Sequence, residues 1–97
     1  MKISFLDAAQ SEFDKAIDYY EEQRSGLGFE FAEEVKQTLE RISHYPEAWS
    51  PISPRVRRCL LNRFPYSVMY EVRLDIFIII AIQNNHRRPN SWRSRIK

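Results

Sequence analysis

The chain has 97 residues, of which 43% are hydrophobic, 13% aromatic and only two glycine, a composition of one compact folded domain that excludes disordered and fibrous classes. Its longest apolar run, Ile76 to Ile82, is far too short to cross a bilayer as a helix, and Cys59 is its only cysteine, so no internal disulfide can form. A net charge of +2 hides a division: residues 1–50 hold five Lys or Arg against eleven Asp or Glu, whereas residues 51–97 hold ten against two.

The opening residues Lys2 to Leu6 alternate polar and apolar side chains and predict a short strand. Asp7 is placed to cap a first helix running from Ala8 to about Arg24. Its apolar stripe is Ala9, Phe13, Ala16, Ile17 and Tyr20, three or four residues apart. Gly26 and Gly28 interrupt the pattern, and a second helix follows on the face Leu27, Phe31, Val35, Leu39 and Ile42 until Pro46 bars it. Three prolines between Tyr45 and Pro54 predict a surface loop. Val56 to Arg63, Tyr66 to Val72 and Ile76 to Gln83 then read as three strands joined by short connections, an antiparallel meander. In the middle strand Tyr66, Val68, Tyr70 and Val72 alternate with Ser67, Met69 and Glu71, as in a sheet covered by helices on one side. Because the last strand is apolar on both faces, it is expected inside the sheet, with the opening strand beside it. Residues 84–97 form a polar, basic tail. The fold class expected is α+β: an N-terminal strand, a two-helix hairpin and a three-stranded antiparallel meander in one sheet, residues 1–97 forming one domain. The N-terminus shows no targeting pattern, which leads us to expect a cytoplasmic protein.

Nine of the ten cations after residue 50 are arginine, the side chain that forks onto phosphate and carboxylate oxygens. Ion pairing between an acidic helical layer and a basic sheet accounts for such a division as readily as a binding surface does. Tyr19 and Tyr20 read as packing residues, and Phe64-Pro65-Tyr66 as an architectural link between strands. Trp92 fits either a lid on the sheet or a platform for a base.

Several pieces together resemble the RelE/ParE superfamily of type II toxin–antitoxin (plasmid stabilisation) systems, and the ParE branch most. They are Asp18-Tyr19-Tyr20-Glu21, Gly26-Leu27-Gly28 with Phe31, Arg41-Ile42 before Pro46, Phe64-Pro65-Tyr66 with Tyr70, and His86-Arg87-Arg88-Pro89 with Trp92 and Arg95. The resemblance implies a toxin silenced by a cognate antitoxin. It also implies one of two targets: DNA gyrase for the ParE branch, or mRNA on the ribosome for the RelE branch.

The residues offer little conventional catalysis. His44 and His86 are far apart and neither has a companion carboxylate or cysteine at ligand spacing, so no metal or other cofactor is expected. What remains is a rim of arginines with one histidine. As a ribonuclease, His86 would take the proton of a ribose 2′-hydroxyl while Arg63, Arg58 and Arg87 stabilise the phosphate. As a binder, the rim would dock on its target through Arg57, Arg58, Arg63, Arg87, Arg88, Trp92, Arg93 and Arg95 with no catalytic residue. The chain lacks the lysine-rich strand and tail tyrosine of the RelE branch, so docking on gyrase is the activity expected. RelE-like cleavage, or binding of the antitoxin alone, are the alternatives.

Overall fold

The computed structural model describes residues 2–87 and 91–96 and has the expected α+β class. Strand β1 (Lys2–Phe5) leads into helices α1 (Asp7–Gln23) and α2 (Leu27–His44), followed by β2 (Ser50–Pro51), β3 (Arg57–Leu60), β4 (Tyr66–Arg73), β5 (Ile76–Asn84) and a short 3-10 turn at Arg93–Arg95. One mixed sheet has the order β1-β5-β4-β3-β2. The meander is antiparallel and β1 runs parallel to β5, pairing Lys2 with Ile76 through Phe5 with Ile79.

Helix α1 starts one residue early. Leu6, not Asp7, occupies the cap position, without a side-chain hydrogen bond. Its N–H donates instead to the Ile79 carbonyl at 3.1 Å, so strand pairing fixes where the helix begins. Asp7 lies in the first turn, where the helix dipole favours a negative charge. Between the helices Gly26 has φ 88°, which glycine adopts without penalty. A Cβ on Gly28 would lie 2.6 Å from the Ile17 carbonyl oxygen, so only glycine lets the helices approach this closely. The Glu21 carboxylate of α1 accepts the N–H groups of Gly26 and Gly28 at 2.9 and 3.1 Å, satisfying donors that the start of α2 would otherwise leave open.

Strand β3 is half its expected length because a carboxylate diverts the chain. Glu34 of α2 is buried and accepts the backbone N–H groups of Asn62 and Arg63, which turns residues 61–63 away from the ladder and towards the helix. The proline-rich loop holds a two-residue strand, β2, where none was expected. It is pinned by the Arg57 guanidinium, which donates to the carbonyls of Glu47 and Trp49 at 3.2 and 2.7 Å.

Helices α1 and α2 cover one face of the sheet. There Phe31 meets the rings of Tyr20, Phe64 and Tyr66 with centroids 5.1–5.2 Å away, over Val68, Tyr70, Phe77, Ile79 and Ile82. Stepping from Ile79 to Ile82 on one face breaks strict alternation. Met69 pairs with Ala81 but Tyr70 with Ile79, so Ile80 is an extra residue in β5, a bulge. The opposite face is covered too: Ile80 and Ala81 pack there with Val56, Met69 and the fully buried Trp92.

Candidate functional site

The arginines expected on one rim fall into separate environments. Arg57 is occupied with the β2 loop. Arg63 donates to Glu30 of α2 at 2.6 Å and lies over the Phe64 ring at 5.4 Å, in a cleft walled by α2. That hydrogen bond holds the Glu30 carboxyl below its usual range and pushes the Arg63 guanidinium further up. Arg95 forks onto Glu12 of α1, with both N–O distances 2.8 Å, and this bond raises its pKa.

The Arg95–Glu12 pair has an architectural task. Strand β1 covers β5 only as far as Ile79, so the outer edge of β5 beyond it has no neighbouring strand. Glu12 accepts the Ile82 N–H at 3.1 Å while Arg95 donates to the Ile80 carbonyl at 3.0 Å. Two side chains thereby replace the missing strand. The tail is held to the sheet by this clamp and by Trp92, which is 1% exposed. The tail was expected to face a target. Trp92 is instead a lid, its ring inaccessible to a base, and Arg95 is folded against α1. The local sequence contains no acid to pair with Arg95, and the partner comes from a helix 83 positions earlier. Arg93 is exposed, its guanidinium 4.8 Å from the Trp92 ring centroid. Arg88 lies outside the described residues.

Arg58, His86 and Arg87 remain, and the end of the sheet does gather these. The Arg58 Nε donates to the buried Ser67 hydroxyl at 3.1 Å, which in turn donates to Asn85 Oδ1 at 2.5 Å. Asn84 receives the His86 N–H on its side chain and the Arg87 N–H on its carbonyl. This turn sets Arg87 and half-buried Arg58 in one cleft of about 180 Å³, walled by Gln83, Asn84, Asn85 and Trp92. No carboxylate lines it. His86 is exposed, and Arg63 is absent from this cleft, so the histidine–arginine constellation that cleavage would use is not assembled around it.

Four participants escaped the sequence reading. Ser67 and Asn85 position Arg58 through a relay that no motif announces. Tyr19, read as packing, touches Tyr20 edge-on at 5.2 Å but is 56% exposed, whereas Tyr20 does pack. Its signal was its position off the apolar stripe of α1. Lys15, the sole cation of α1, lines a groove of about 530 Å³ between α1 and the end of β5 together with Tyr19, Tyr20, Tyr66 and Arg87.

No helix of the described residues is long and apolar enough to cross a membrane. Residues 3–89 match the family described as the ParE toxin of the type II toxin–antitoxin system parDE. Among solved structures, the chromosomal ParDE toxin–antitoxin system from P. aeruginosa is similar in fold. It has 19% identity and a TM-score of 0.63 over 87% of this chain and 95% of that one. No curated protein matches the sequence.

Proposed function

The chain belongs to the ParE toxin family and is the toxin component of a type II toxin–antitoxin system, and from that premise we propose that it arrests growth in the cytosol by docking on DNA gyrase rather than by cutting RNA. One observation carries the choice. Arg63 is committed to Glu30 of α2, away from the cleft of Arg58 and Arg87, and exposed His86 does not line that cleft, so the histidine and the three arginines that cleavage would use do not converge on one phosphate. A docking surface has no such requirement, and Arg58, Arg87 and Arg93 supply its cations. The partner that silences the toxin is a cognate antitoxin, whose acidic side chains would complement the arginine-rich half and speed association at low salt.

Purified protein is expected to inhibit gyrase supercoiling and to leave ribosome-bound mRNA intact. Primer-extension mapping that finds A-site cuts, lost in His86→Ala, would overturn the proposal. Co-expression with the product of the adjacent gene, followed by pulldown, tests the partner: a toxin that never co-purifies with it contradicts the antitoxin assignment.

A further inference from the structure

The groove beside α1 and the cleft holding Arg58 share part of their walls: Gln83, Asn84 and Arg87 line both. The two meet at these residues at the end of β5, and we take them as the two lobes of one trough. Its cations are Lys15, Arg87 and Arg58. Among the described residues its only carboxylate is Glu12, already engaged by Arg95 and the Ile82 N–H. The trough is therefore cationic even where it runs along the acidic half of the chain. Arg58 and Arg87 have no acidic partner among the described residues, an arrangement of like charges that an anion would relieve.

An aromatic surface lies in the same groove. Tyr19 is braced edge-on by Tyr20, which meets Tyr66 at 6.0 Å, so the exposed ring is held by a second ring and not free to collapse. A flat π-face beside a run of cations is the pairing that binds single-stranded nucleic acid: bases stack on the ring, and phosphates follow the positive charge. Duplex DNA presents no free base face to such a ring.

We propose that this trough binds a single-stranded nucleic-acid segment, with a base stacked on Tyr19 and the flanking phosphates held by Lys15, Arg87 and Arg58. The contacts proposed use a ring face and phosphates, which deoxy and ribo strands share, so both are expected to bind. This goes beyond docking on gyrase, which requires no direct contact with nucleic acid.

Fluorescence anisotropy with a labelled oligo(dT) of about twelve nucleotides, and with its oligo(U) counterpart, tests it on the whole chain. Both probes are expected to bind. Tyr19→Ala should weaken binding about tenfold and Tyr19→Phe should restore it, since the ring and not the hydroxyl is used. Lys15→Ala should lower the slope of log affinity against log salt by about 0.7, one phosphate contact on a single strand. Both side chains are exposed, so folding is not at stake. Failure to bind either probe overturns the proposal, as does binding indifferent to Tyr19→Ala, which would mark charge attraction alone. A parallel supercoiling assay keeps the readings apart. Gyrase inhibition without oligonucleotide binding removes the trough and leaves the docking proposal, whereas binding without inhibition supports the trough and removes gyrase as the target.

Discussion

The two faces of the sheet are built on different terms. Under the helices, Phe31, Tyr20, Phe64 and Tyr66 form a continuous aromatic core backed by Val35, Leu39 and Ile42. Across the sheet, Val56, Met69, Ile80 and Ala81 are closed over by one large ring, Trp92, delivered by the tail. The first core is continuous through secondary structure, while the largest ring of the second, Trp92, comes from a tail held by the Arg95–Glu12 pair. The helix face thus defines the fold, and the tail face completes it and shapes the cleft of Arg58 and Arg87.

Replacing the central ring on each face measures that difference. Phe31→Ala should cost about 4 kcal/mol, the usual loss for a fully buried aromatic, and lower the urea midpoint for the whole chain. Trp92→Ala should cost about 3 kcal/mol, the lower end of the same range, because the tail can peel away and leave the helix face closed. Hydrogen exchange should then show lost protection confined to residues near Val56, Met69 and Ile80. Equal and global loss in both variants would mean that the two faces fold as one unit. Glu12→Gln comes next, at about 2 kcal/mol, since Arg95 and Glu12 are each about one-fifth exposed and Gln keeps part of the hydrogen bonding. Limited proteolysis in the tail should report it, and an unchanged cleavage rate would show that the clamp does not hold the tail.

Much of the helix face was legible because it is written in local periodicity: the stripe of Phe31, Val35, Leu39 and Ile42 needs no distant partner to be recognised. The order strand, helix hairpin, meander followed the same logic. The tail face was not legible. Ile80 enters the second core through a bulge that shifts the alternation of β5 by one residue, and no local pattern marks it. Glu34 shortens β3 from a helix 28 positions away, and Glu12 captures Arg95 from 83 away. Charge composition found the arginines but could not distribute them, because the partners of Arg63 and Arg95 are two acids among eleven in the first half.

Two smaller effects lie at the end of the sheet away from the tail's clamp. Leu74, in the β4–β5 turn, has φ 55° and is 97% exposed, a conformation that disfavours side chains with a Cβ. Leu74→Gly should therefore stabilise the protein by about 1 kcal/mol, less the entropy glycine adds to the unfolded chain. A thermal midpoint that falls instead would show the leucine packing against something. The other effect is confined to alkaline pH and vanishes at neutral pH. Burial on the helix face pushes the Tyr70 hydroxyl, which donates to the Pro46 carbonyl at 2.6 Å, up to about 12. The folded state then keeps a proton that the unfolded chain loses near pH 10, so stability falls between about pH 10 and 12 and is untouched below. Ultraviolet titration should find this tyrosine ionising late, and Tyr70→Phe should remove that part of the alkaline loss.

The side-chain closure of β5 also orders events in time. Synthesis proceeds from the N-terminus at about 5–20 residues per second, so Glu12 leaves the ribosome seconds before Arg95 can reach it. Until then Glu12 alone can engage that edge, through the Ile82 N–H, and the Ile80 carbonyl beside it is open, the kind of edge that recruits other chains. Fragments ending before residue 95 should accordingly aggregate as they are made, and the finished sheet becomes available only once translation has passed that arginine.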